Sequence, residues 1–239
     1  MEYEAVCFDL DNTLYPYDPC NEAGKRAALS AFRDRGYDLD RERFDELYAR
    51  ARADAKRELR GTAASHERFV YFKRALRLHD DVHDAADAFA IGEAYWDGYV
   101  AEMELFDGVR GTLDALREAG LAVAVVTNLT TRVQLRKLSG LGIDDRVDHL
   151  VTSEEVGREK PSALPFTAAL SALDARPSEA VMVGDNVVAD VEGGNAVGME
   201  TVLFTGGTGE DAEGSGELTG PRRPDHRIDD LAALPEVLA

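Results

Sequence analysis

Two aspartates stand two residues apart in the segment FDLDNTLY, Phe8 to Tyr15. The apolar run Tyr3 to Leu10 that carries them reads as a buried strand. In extended backbone, residues i and i+2 project to the same side. Asp9 and Asp11 therefore present two carboxylates together at the carboxyl end of a strand, where open α/β sheets bind ligands. Like charges that close are costly unless a cation joins them or one keeps a proton. The plain alternative is a turn, because Asp-Asn-Thr is good turn and capping material, and the pair alone does not decide against it.

Three further segments weigh against four coincidental turns, because each also follows a strand-like run. After Leu121 to Val126 comes Thr127-Asn128, whose hydroxyl, amide and backbone N–H groups can hold phosphate oxygens; an ordinary helix start is the alternative. Lys160, in Glu159-Lys160-Pro161, is one of only five lysines in a chain that otherwise uses arginine. A compact ammonium suits a point-charge contact to phosphate and carboxylate, although most lysines are solvated. After Ala180 to Val183 comes GDNVVAD with Asp185 and Asp190; the latter doubles as a plausible helix N-cap.

The elements that must position these residues follow from periodicity. Apolar runs at Tyr3 to Leu10, Leu121 to Thr127, Ala180 to Gly184 and Thr201 to Phe204, with a further short one at Val147 to Val151, predict strands. Between them, Asp107 to Glu118, Thr131 to Leu141, Ser162 to Leu173 and Asp190 to Ala196 predict helices. Near-continuous apolar runs alternating with helices indicate a doubly wound, Rossmann-like parallel sheet, an α/β fold. The alternation breaks between Pro16 and Met103. Four helical segments fit there, roughly Asn21 to Arg35, Asp40 to Arg60, Ser65 to Leu78 and Val82 to Met103. The expected organisation is a discontinuous catalytic core, residues 1–15 and 104–239, with an all-helical insertion at 16–103. Thr205 to Pro224 is polar and glycine-rich and reads as a loop; its GGTGEDAEG is not followed by an amphipathic helix, which argues against a dinucleotide site. His226 to Ala239 reads as a short strand and a closing helix.

In order, spacing and placement at strand ends, the four motifs resemble the haloacid dehalogenase superfamily of hydrolases, in particular members with a helical cap inserted just after the first motif. The resemblance covers essentially the whole chain and rests on Asp9-x-Asp11-x-Thr13, Thr127-Asn128, Lys160-Pro161 and Gly184-Asp185 with Asp190. It implies a Mg²⁺-dependent phosphatase acting on a small phosphate monoester. Asp9 would be the nucleophile that forms an aspartyl-phosphate, and Asp11 the general acid and base. The Asp9 side chain, the Asp11 backbone carbonyl and the Asp185 side chain would hold Mg²⁺. Thr127, Asn128 and Lys160 would bind phosphoryl oxygens, Asp190 would orient Lys160 or a metal-bound water, and Thr13 would fix the loop. Leu129 stands where many relatives carry glycine, and Ser162-Ala163 where they often carry Asp-Pro. Substrate choice would fall to residues facing the core, among them Tyr15, Tyr17, His66, Arg68, Tyr71, Lys73 and Trp96, each with helix packing or solvation as its plainer reading.

Composition narrows the alternatives. Acidic residues outnumber basic ones 46 to 27, for a net charge of −19, which disfavours nucleic acid as a partner. No apolar run approaches a membrane span, and the acidic start MEYEAVCFDL does not read as a signal peptide, so a cytoplasmic protein is expected. Cys7 and Cys20 have neither disulfide-framework nor metal-ligand spacing. The acidity fits either adaptation to high salt or a codon bias. A 2-haloacid dehalogenase on the same fold would need neither Asp11 nor a metal; a phosphotransferase or mutase would keep every residue named; a non-catalytic binding protein would have lost its nucleophile. Oligomeric state is not legible.

Overall fold

In the computed structural model, which describes residues 3–81, 83–207 and 218–239, the first apolar run forms β1 (Ala5–Phe8), all four residues buried. The ladder reaches one residue further, with Asp9 N–H donating to the Val183 carbonyl at 2.9 Å. It then breaks at Asn12, which takes φ +60. The turn is closed by bonds from Leu14 N–H to the Leu10 carbonyl and from Asn12 N–H to the Tyr15 carbonyl.

The chain divides into two compact units, residues 18–103 and the remainder on either side. The insertion contains α1 (Tyr17–Asp34), α2 (Arg41–Glu58), α3 (Arg68–Asp80) and α4 (Ala85–Ala101). Asp40 and Asp84 cap α2 and α4 by accepting bonds from the N–H groups of Arg43 and Asp87. Its core is aromatic: the Phe32 ring lies 5.9 Å from Phe44 and 6.2 Å from Phe72, and Tyr48 lies 6.3 Å from Tyr95. Gly24 lets α1 approach α4 closely, since a Cβ there would sit 2.9 Å from the Tyr95 carbonyl oxygen. Of the residues expected to face a substrate, Tyr71 and Trp96 belong to this aromatic core, and Arg68 is buried with its guanidinium 5.2–5.5 Å from the rings of Tyr71, Tyr95 and Trp96. Lys73 is exposed on α3.

The other unit resumes with α5 (Val109–Glu118) and continues with β2 (Ala122–Thr127), α6 (Thr131–Leu141), β3 (His149–Thr152), the short α7 (Ser153–Val156), α8 (Ala163–Ala172) and β4 (Ala180–Gly184). A π-helical segment (Val187–Glu192), α9 (Gly193–Val197), β5 (Glu200–Phe204), β6 (His226–Ile228) and α10 (Leu234–Val237) complete it. The six strands form one parallel sheet in the order β3-β2-β1-β4-β5-β6. The chain builds outward on one side of β1 and then returns to build on the other, which makes the carboxyl end of β1 the switch point. Residues of one parity face α8: Ala5, Cys7, Ala124, Val126, Ala180 and Met182 pack with Phe166, Ala169 and Leu170. Both cysteines are free and buried.

The expected elements recur with shifts at their ends. Asp190 departs from its expected part as an N-cap: Asn186 caps instead, its side chain accepting from the Val188 and Ala189 N–H groups, and Asp190 lies inside the π-helical segment, 1% exposed. GGTGEDAEG falls largely outside the described residues. Where the chain leaves for the insertion and comes back, its two passes run side by side, with Phe106 N–H donating to the Leu14 carbonyl at 3.0 Å.

Candidate active site

Asp9 follows β1, Thr127 ends β2, and Asp185 follows β4, so three parallel neighbours deliver their loops to one edge of the sheet. Lys160 arrives from the α7–α8 connection. Its ammonium is the hub. Nζ donates to Asp9 Oδ1 at 2.7 Å, to Asp190 Oδ1 at 2.7 Å and to the Val126 carbonyl at 2.6 Å, which uses all three of its hydrogens. Burial alone would lower its pKa; attraction to Asp190 and Asp9 outweighs that and holds it above the ordinary lysine value. Asp190 is fixed from both oxygens, Oδ2 accepting from the Asn186 N–H at 3.0 Å. Gly184 is obligatory beside it, because a Cβ there would overlap the Asp190 carboxylate.

Oxygens of Asp9, Asp185 and Asp190 can all lie within 4.8 Å of one another. Desolvation pushes the Asp9 carboxyl up to about 7 despite the opposing pull of Lys160, with Asp190 and Asp11 adding to the rise. Asp185 is pushed up to about 8 by desolvation and then by Asp9 and Asp190. Asp9 and Asp185 resist ionisation beside a third carboxylate, which marks a site short of positive charge, and an all-oxygen donor set matches a hard divalent cation. Mg²⁺ fits these residues. Asp9 keeps Oδ2 without a hydrogen bond among the described residues, while Asp190 has committed both oxygens to Lys160 and Asn186.

The Asp11 carboxylate turns elsewhere. It accepts from Lys137 Nζ at 2.7 and 3.0 Å and from the Tyr15 hydroxyl. Lys137 is 1% exposed and lies 5.7 Å from the Tyr15 ring centre. Beside Lys160, α6 thus supplies a second buried cation to the four carboxylates of Asp9, Asp11, Asp185 and Asp190. Lys137 was legible in principle: it is another of the five lysines, and it falls on the α6 face that also carries Val133, Leu138 and Leu141.

Asn128, expected to contact phosphate, uses its side chain to tie two loops together. Its Oδ1 accepts from the Lys160 N–H at 2.9 Å and its Nδ2 donates to the Lys160 carbonyl at 3.5 Å. Thr13 is fully buried, and its hydroxyl has no partner among the described residues, so it holds the loop by packing and not by hydrogen bonding. Leu129 takes φ +134, a backbone region costly for a branched side chain. It is held there by burial and by its N–H donating to Ser153 Oγ at 2.9 Å.

Residues 3–198 match the haloacid dehalogenase-like hydrolase family, and the chain belongs to that family of hydrolases. It is 52% identical to the ribulose-1,5-bisphosphate 5-phosphatase of Halopiger xanaduensis, across 98% of this chain and 99% of the relative. It is 34% identical to the glyceraldehyde 3-phosphate phosphatase of Methanopyrus kandleri, across 98% and 97%. Among solved structures, a 2-haloacid dehalogenase from Pseudomonas syringae superposes with a TM-score of 0.77, covering 99% of this chain and 98% of that one at 24% identity. That likeness shows the α/β fold with its helical insertion.

Proposed function

We propose that this chain is a magnesium-dependent phosphatase that hydrolyses a small phosphorylated sugar through an aspartyl-phosphate on Asp9. The observation that carries the reading is the Lys160 hub, which orients a carboxylate nucleophile inside a cluster of acids built for a cation. Asp9 and Asp185, with the Asp11 backbone carbonyl, would hold Mg²⁺, and Asp190 would act through Lys160. The bound ion would neutralise carboxylate and phosphoryl charge and keep Asp9 ionised at neutral pH.

In the first step an Asp9 oxygen bonds to phosphorus as the bond to the leaving oxygen breaks, and Asp11 gives that oxygen a proton. In the second, water attacks phosphorus, Asp11 takes its proton, and the Asp9–phosphorus bond breaks to release phosphate. Lys160 and Thr127 offset the charge on the phosphoryl oxygens. Asp11, and Asp185 as a metal-holding carboxylate, weigh against haloacid chemistry, which would need neither an acid at Asp11 nor a metal.

The relatives' named substrates make phosphorylated sugars the class to test first. The helical insertion would serve as the cap that selects them, and phosphoproteins would be poor substrates. A cytoplasmic location and a freely diffusing substrate complete the proposal; no helix among the described residues is long and apolar enough to cross a membrane.

The test is phosphate release from ribulose 1,5-bisphosphate, glyceraldehyde 3-phosphate and an aryl phosphate, with Mg²⁺ and after chelation. Mg²⁺-dependent turnover, and an acid-stable phosphate adduct on the peptide bearing Asp9, are expected. Halide release from a 2-haloacid with no turnover of any ester would overturn the reading.

A further inference from the structure

Gln134 lies on α6 and is wholly buried. Its Nε2 donates to Thr127 Oγ1 at 2.8 Å and to the Asn128 carbonyl at 3.1 Å. The Asn128 carbonyl can only accept, so it fixes which end of the amide faces the β2 loop. With nitrogen facing inward, both amide hydrogens are used, and Thr127 Oγ1 must be an acceptor in its bond to Gln134. The Thr127 hydrogen is thereby turned away from Gln134, and no acceptor takes it among the described residues. The arrangement has a visible cost: Gln134 Oε1 is left buried without a partner. A fold that needed only to fill this space would do better with an apolar side chain of the same volume, since a buried orphan acceptor is unfavourable.

We propose that Gln134 is a positioning residue: it polarises the Thr127 hydroxyl so that its hydrogen is presented to an oxygen of the phosphoryl group. The inference rests on the phosphatase reading and adds to it the origin of Thr127's donor orientation. Without that bond, no contact among the described residues would set the direction of the Thr127 hydroxyl. A donor already aligned needs no reorganisation as charge builds on the phosphoryl oxygens.

Two substitutions separate this role from packing. Gln134→Met keeps the volume, removes the orphan oxygen and loses the donor. Gln134→Glu keeps the shape and reverses the polarity, so that the carboxylate accepts the Thr127 hydrogen. The thermal midpoint, the inhibition constant of inorganic phosphate at saturating Mg²⁺, and kcat/KM on an aryl phosphate are measured for both. Gln134→Met should melt no lower than wild type, bind phosphate about tenfold more weakly and lose about ten- to a hundredfold in kcat/KM, below the ~10²–10³ of a deleted donor. Gln134→Glu should lose more. Thr127→Val should lose at least as much as Gln134→Met, and the double variant should be no worse than Thr127→Val alone.

Wild-type phosphate affinity and turnover in Gln134→Met would overturn the inference. So would losses that multiply in the double variant, because they would show that Gln134 acts by some route other than Thr127. If Gln134→Glu fails to fold, Gln134→Met and the double variant decide alone. An inactive wild type refutes the phosphatase reading and the inference with it; an active wild type beside an indifferent Gln134→Met refutes only the inference.

Discussion

Replacing Lys160 with methionine removes the one cation bonded to both Asp9 and Asp190 and leaves the volume nearly unchanged. The ammonium is 1% exposed in its side chain and has all three hydrogens bonded. Breaking a buried ion pair from one side costs about 3–5 kcal/mol, because the remaining charge has no compensation. Against a typical domain stability of about 5–15 kcal/mol this leaves a folded but weakened protein. The pH dependence identifies the cause. Asp9 and Asp185 have folded pKa values of about 7 and about 8, above the model-peptide carboxylate range. The folded state therefore binds more protons than the unfolded state, and stability falls as pH rises from about 4 to about 8. Lys160 opposes the rise at both acids, so without it they titrate higher still, and the penalty grows with pH. One further unit at a single acid adds about 1.4 kcal/mol above pH 8 that is absent near pH 5.5. Urea denaturation in EDTA, followed by far-ultraviolet circular dichroism at pH 5.5 and 8.5, measures both quantities. A penalty under about 1 kcal/mol at pH 8.5, or one equal at the two pH values, refutes the reasoning.

Mg²⁺ binding needs Asp9 and Asp185 ionised, so protons compete with it; apparent affinity at pH 6 should be up to about 10³-fold below that at pH 8.5, and calorimetry showing equal affinities would contradict this. Asp11→Asn should slow turnover by about 10²–10⁴-fold, least in the phosphorylation step with a good aryl leaving group, and mass spectrometry after acid quench should find phosphate accumulated on the Asp9 peptide; full activity on alkyl phosphates would remove Asp11 from proton transfer. With a net charge of −19, the melting temperature should climb with KCl from 0.01 M, where the Debye length is about 30 Å, to molar levels; a flat profile would leave codon bias as the account of the acidity.

The strands were legible because parallel strands buried on both faces read as continuous apolar runs; Ala180–Gly184 and Thr131–Leu141 match their expected bounds. Asp9, Thr127 and Asp185 were legible as residues at the ends of neighbouring parallel strands, whereas the Asp11 carboxylate, expected beside Asp9 from backbone parity, meets Lys137 and Tyr15 instead. What escaped has a physical reason in each case. Gln134 and Lys137 are polar residues on the inward stripe of α6, and periodicity assigns that stripe to the core without saying what a polar side chain finds there. Within the π-helical segment Val187–Glu192, Asp190 reaches Lys160, 30 residues away in sequence, a contact that no local propensity encodes. The tie from the Asn128 side chain to the Lys160 backbone, 32 residues away, likewise has no local signal in the sequence.

The paired passes of chain at Leu14 and Phe106 bear on how this protein could be assembled and altered. Insertion of residues 18–103 lengthens the connection between β1 and β2 roughly fourfold. Loop-closure entropy grows only logarithmically, so two doublings add about 1.2 kcal/mol, a small charge for an entire helical unit. A unit with its own aromatic core can also order before the strands meet, which shortens the effective loop. The Leu14–Phe106 bond then marks a splice point: what lies beyond it can be lengthened, shortened or exchanged while the register of β1 against β2 and β4 is untouched. New specificities could be tried there as whole modules, with the catalytic sheet as a constant chassis.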